Sequence, residues 1–137
     1  MDKLYLDHAA TTPPSVEALA AFNAAATDCY ANPGSLHQAG ADAARLIEKS
    51  RRKISNLLNA SNYQLIFTAT GTESNHLGIR GYVQDGLALV GAIEHPSSLN
   101  SVEARDGDSA VLPVTGDGRI DVERYRALLS DDVKLIS

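Results

Sequence analysis

Leu65-Ile66-Phe67-Thr68-Ala69-Thr70-Gly71-Thr72-Glu73-Ser74-Asn75 decides the reading of this chain. The apolar run Leu65-Ile66-Phe67 reads as the heart of a buried strand over residues 63–68. The strand runs into a Gly/Thr turn, and residues 71–83 read as a helix. Moving outward toward the C-terminus, the same rhythm returns. Residues 87–93 read as a strand, 97–104 as a helix and 109–114 as a strand. Gly116-Asp117-Gly118 is a turn, residues 121–129 form a helix capped by Asp121, and 133–136 begin another strand. This alternation predicts an α/β fold built on a mostly parallel sheet with helices on both faces.

Upstream of residue 63 the pattern is helical. Residues 1–12 read as an extended lead-in closed by Thr11-Thr12-Pro13-Pro14, since two prolines precede a helix more readily than they enter one. Ser15 is the expected N-cap of an alanine-rich helix over residues 16–29. Asn32-Pro33-Gly34-Ser35 reads as a turn. A second helix is expected over residues 38–58, with Ala39, Ala43, Leu46, Ile47, Ile54, Leu57 and Leu58 on one apolar stripe. The chain therefore reads as one domain, 1–137, with a helical segment at 1–62 and an alternating β/α segment at 63–137. Lys134-Leu135-Ile136-Ser137 resembles a central strand cut off part-way, so the expectation is a fragment, a split subunit or a degenerate copy.

The chain has 137 residues, enough for one core and too few for two. Its formal net charge is −5, with two Phe, five Tyr and no Trp. That balance speaks against a nucleic-acid partner, which requires a positive surface and stacking side chains. No apolar run reaches the length of a membrane span, and residues 1–7 lack a signal-peptide pattern, so no membrane association and a cytoplasmic location are expected. Cys29 is the single cysteine. It forms no internal disulfide framework, and its place on the first helix suggests a small core residue.

Two features could carry chemistry. A strand that feeds a Gly/Thr turn and then a helix start makes an anion site, because free N–H groups and the helix dipole converge there. Gly71 would admit the anion to the backbone, and Thr72 would add a hydroxyl. An ordinary N-cap formed by Thr70 or Thr72 explains the same letters equally well. Glu94-His95 ends the next strand, on the same edge of the sheet, where an imidazole can stack on a planar ring or move a proton. Taken alone, His95 reads more readily as an exposed or hydrogen-bonded loop histidine. The histidines His8, His37, His76 and His95 lack ligand spacing, so no metal site is expected.

Four segments taken in order resemble the N-terminal signature of the cysteine desulfurases, within the class V aminotransferases. They are Tyr5-Leu6-Asp7-His8-Ala9-Ala10-Thr11-Thr12-Pro13, Asn32-Pro33-Gly34-Ser35-Leu36-His37, Phe67 to Asn75, and Glu94-His95-Pro96-Ser97-Ser98. Leu112-Pro113-Val114 and Gly118-Arg119-Ile120-Asp121 continue in register. The resemblance implies part of the large domain of a fold type I, pyridoxal-phosphate-dependent transferase. It implies that Gly71 and Thr72 bind the cofactor phosphate, and that His95 stacks on the pyridine ring and assists proton transfer. It places Ala10, Thr11 and Asn32 near the substrate.

The implied reaction removes sulfur from L-cysteine, leaving alanine and an enzyme persulfide, in sulfur metabolism and iron–sulfur cluster assembly. Its implied partners are a sulfur-acceptor protein and either a homodimer mate or a complementing chain. The sequence departs from the family pattern in several places. Thr70 replaces a family glycine, and would not fit the turn if that glycine had positive φ. His76 replaces a second asparagine. None of Lys3, Lys49, Lys53 and Lys134 matches the Schiff-base lysine, and Cys29 does not match the persulfide cysteine. This chain alone is therefore expected to be inactive. The alternative is a catalytically silent homologue that serves as a binding or assembly module.

Overall fold

A computed structural model describes residues 4–83 and 85–137. The chain forms two compact units, residues 1–65 and 66–137.

The first unit holds two helices. Helix α1, Val16–Asp28, starts where expected: the Ser15 side chain accepts the Ala18 N–H at 3.1 Å. None of its residues is buried. Cys29 is not the core residue the sequence suggested. It is half-buried at the C-cap, where its N–H donates to the Ala25 carbonyl. Helix α2, Gln38–Leu57, is capped by His37, whose Nδ1 accepts the Gly40 N–H at 3.2 Å. Its expected apolar stripe is only partly covered: Gly40, Ala43 and Ser55 are buried, while Leu57 and Leu58 are largely exposed. Gly40 explains where the chain before α2 rests. A Cβ there would lie 2.4 Å from the Ser35 carbonyl oxygen and 2.8 Å from that of Asn32. Only glycine lets the 32–35 turn lie flat on the helix.

The second unit contains helix α3 (Gly71–Tyr82), strand β1 (Leu87–Gly91), helix α4 (Pro96–Glu103), strand β2 (Ser109–Leu112), helix α5 (Val122–Leu128) and strand β3 (Val133–Ile136). The three strands form a parallel sheet in the order β2-β1-β3. β1 is central and apolar throughout, as a strand covered on both faces should be. The core gathers Ile79, Ala88, Val90 and Val102, with Leu99 and Leu135 packed against them. Asp121 caps α5 by accepting the N–H groups of Glu123 and Arg124, as the sequence predicted.

One expected element is missing. Residues 63–68 form no strand, and Ile66 and Phe67 stand 58% and 49% exposed. The apolar run was read correctly, but a strand exists only when a neighbour completes its ladder. Among the described residues the sheet is built from β1, β2 and β3, and this segment is not one of its strands.

Candidate functional site

Both phosphate-turn and imidazole candidates lie in the second unit, at the N-terminal ends of α3 and α4. Thr70 settles how α3 begins. Its backbone is extended (φ −150°, ψ 159°), a conformation open to any residue, so the replaced glycine costs no strain. The expected conflict does not arise. Instead the Thr70 hydroxyl accepts the Glu73 N–H at 3.1 Å, and the Thr70 carbonyl accepts the Ser74 N–H. The Glu73 carboxylate reaches back to accept the Ala69 N–H at 2.7 Å. This is close to a capping box, displaced by one residue.

The cap leaves a specific opening. It uses the N–H groups of Glu73 and Ser74, whereas no acceptor among the described residues takes those of Gly71 and Thr72. A helix start always exposes such donors, and here two adjacent ones remain free on exposed residues. A Cβ added at Gly71 would meet nothing within 4 Å, so the space above the backbone is open. An anionic group fits this site by donor chemistry and by room. The capping and anion-binding readings of this turn are therefore compatible.

His95 ends the loop after β1 and is the N-cap of α4, followed by Pro96 at the first helical turn. Its Nδ1 accepts the Ser97 N–H at 3.1 Å and lies 2.8 Å from the Ser97 hydroxyl. The ring is exposed, and no hydrogen bond engages its Nε2 among the described residues. Ser97 and Ser98 are buried, and both accept from the Asn75 side-chain amide, at 2.8 and 3.3 Å. Asn75 lies four residues into α3, about 6 Å along the axis from Gly71 at 1.5 Å per residue. One hydroxyl thus connects the free-donor turn to the imidazole. His76 faces Ser101 of α4 at 3.5 Å and accepts from Arg80 at 3.0 Å.

The remaining candidates lie in the first unit. Ala10 closes a turn with its N–H on the Asp7 carbonyl, and Thr11 lines a small hollow with Tyr5, His8, Thr12 and Pro13. The Asn32 side-chain oxygen accepts the Gly34 N–H at 2.9 Å, which holds the 32–35 turn. Asn32 is thus committed through its oxygen to local structure, with its amide nitrogen left over. Sequence reasoning missed Asn75, Ser97 and Ser98 as a connected group. The only written signal was a serine pair following a histidine at a helix start.

Among the described residues, no group of three or more His, Cys, Asp and Glu side chains is arranged to hold a metal, and no helix is long and apolar enough to cross a membrane.

The family model described as "Aminotransferase class-V" matches residues 4–137. A cysteine desulfurase of Cereibacter sphaeroides is 36% identical over 146 residues, covering all of this chain and 38% of its own length. One from Frankia sp. (strain EuIK1) is 34% identical over 98% of this chain and 36% of its own. The cysteine desulfurase NifS of Azotobacter vinelandii is 33% identical over all of this chain and 36% of its own. The solved structure of a NifS-like protein from Rickettsia africae ESF-5 superposes with a TM-score of 0.76 at 32% identity, over 91% of this chain and 35% of that one. The chain thus spans little more than a third of the length of these relatives.

Proposed function

The chain belongs to the class V aminotransferase family, and from that premise we propose that it carries part of the cofactor-binding half of a pyridoxal-phosphate-dependent cysteine desulfurase. The observation that carries this reading is the pair of N–H groups at Gly71 and Thr72 that no acceptor among the described residues takes, one helical turn from the side chain that bridges to His95. Gly71 and Thr72 hold the phosphate through these donors and the Thr72 hydroxyl. His95 lies against the ring and moves the proton at Nε2, its free nitrogen. Ala10, Thr11 and Asn32 serve the substrate end.

When bound, pyridoxal phosphate supplies an electron sink for a carbanion at the substrate α-carbon. The substrate would be L-cysteine: a cysteine thiolate of the completed enzyme would take its sulfur as a persulfide while the substrate's Cβ–S bond breaks and alanine remains, and an acceptor protein would then receive that sulfur. The Schiff-base lysine and the persulfide cysteine match no residue of this chain. They come from the remaining two-thirds of the family's length or from a second chain in a dimeric assembly.

The deciding experiment is a visible absorption spectrum of untagged protein from its native host, before and after borohydride. A chromophore that borohydride fixes covalently supports the reading. A colourless protein that takes up no added pyridoxal phosphate overturns it in favour of a catalytically silent assembly module.

A further inference from the structure

We propose that Asn75 and Ser97 are positioning residues that fix the tautomer of His95, holding Nδ1 unprotonated so that the ring proton resides on Nε2. The inference deepens the reading of His95 as the proton-moving group and rests on it for its functional meaning.

The direction of every bond in the chain follows from donor chemistry. The Asn75 amide nitrogen can only donate, and it donates to the hydroxyl oxygens of Ser97 and Ser98. The Ser97 oxygen, already accepting, is left with one proton to give, and the nearest acceptor is His95 Nδ1 at 2.8 Å. The Ser97 backbone N–H donates to the same nitrogen at 3.1 Å. A nitrogen that accepts twice carries no hydrogen, so the neutral ring is protonated at Nε2. That atom has no protein partner among the described residues. Both serines are buried and Asn75 is half-buried, so water competes poorly for these bonds. In contrast, His76 Nε2 accepts from Arg80 and its Nδ1 faces the Ser101 hydroxyl. That arrangement places its proton on Nδ1, so the two histidines should be opposite tautomers in one protein.

Nitrogen-15 NMR of the histidine-labelled chain, free of cofactor, tests this directly. His95 is assigned by its disappearance in His95→Gln. The expected result is a single Nε2–H form for His95 beside an Nδ1–H form for His76. In Ser97→Ala the backbone N–H still favours the same form, and the tautomer ratio should move by about fivefold toward Nδ1–H, the weight of one ordinary hydrogen bond. Asn75→Asp keeps the volume but turns the donor into an acceptor. The Ser97 hydroxyl then turns to the carboxylate, and the same shift should follow even if Ser97→Ala fails to fold.

An Nδ1–H or mixed His95 in the parent protein overturns the proposal. So does an unchanged ratio in Asn75→Asp, which would leave the backbone cap as the whole cause. Because no cofactor is present, failure here is separable from failure to bind pyridoxal phosphate in the absorption experiment.

Discussion

At the residue scale, the cap and the anion site divide the donors of one turn, and substitutions should separate them. Thr70→Ala should lower stability by about 1 kcal/mol through loss of the cap, and Thr70→Gly by only a few tenths. Both should leave phosphate affinity nearly intact, as urea titration and pyridoxal-phosphate uptake would read. Thr72→Ala should do the reverse, weakening uptake about tenfold with little change in the urea midpoint. In an active assembly, His95→Ala should lower turnover by about 10²-fold or more with a smaller effect on cofactor binding. Retained turnover would remove His95 from its proposed role. Arg105 is a different kind of residue. It is buried, and among the described residues its guanidinium donates to backbone carbonyls, those of Val83, Asp85, Gly86 and Asp108. The planar fork ties the end of α3 to the start of β1. Arg105→Met should lower stability by about 2–4 kcal/mol, and Arg105→Lys should recover less than half of that, because a single ammonium cannot span these carbonyls. Neither Arg105 nor the Asn75–Ser97 bond was legible in the sequence. Contacts across some twenty positions leave no local pattern, whereas the caps at Ser15 and Asp121 were legible because their partners lie within three residues.

At the element scale, helix and strand positions were largely readable because periodicity and caps are local, and α3 through β3 fall where the alternation put them. The failure at residues 63–68 is instructive. The apolar run is real, but strand formation is a pairwise property, and among the described residues the segment lies outside the three-stranded sheet. Elements that rest on few contacts should respond strongly to single changes. Gly40→Ala drives a Cβ into the Ser35 and Asn32 carbonyls. It should cost about 1–3 kcal/mol and speed amide exchange at Ser35, whose N–H bonds the Asn32 carbonyl. Retained protection there would mean that the turn does not depend on that close approach. Helix α1 buries nothing and depends on its first turn. The Glu17 carboxyl is held below the usual carboxylate range, first by its own backbone N–H and then by the Ser15 hydroxyl. A depressed carboxyl stabilises the folded form above its unfolded pKa and loses that effect as pH falls through the folded value. The protection factor of the Leu19 amide, whose N–H bonds the Ser15 carbonyl, should therefore fall slightly on acidification below the usual carboxylate range once exchange is corrected for its intrinsic pH dependence, and less so in Glu17→Gln.

At the scale of the whole molecule, apolar surface is left uncovered. That surface includes large apolar side chains such as Phe22, Tyr30, Leu36 and Tyr82, each more than two-thirds exposed. It also includes an apolar hollow at the carboxyl ends of the strands, lined by Ile93, Leu112, Ile120, Tyr125 and Ile136. With β1 in the centre, both β2 and β3 are edges of the sheet that the described residues form. Surface of this kind is satisfied by further protein, whether the same polypeptide's or another copy's. The isolated chain should therefore sediment as concentration-dependent oligomers. Charges on the edges should oppose pairing, so Val111→Lys on β2 and Ile136→Lys on β3, at side chains 56% and 48% exposed, should shift it toward monomer. A parent chain that stays monomeric at every concentration would mean that the exposed edges are not adhesive. Oligomers unchanged by both lysines would move the contact away from the sheet and onto the helices of the first unit.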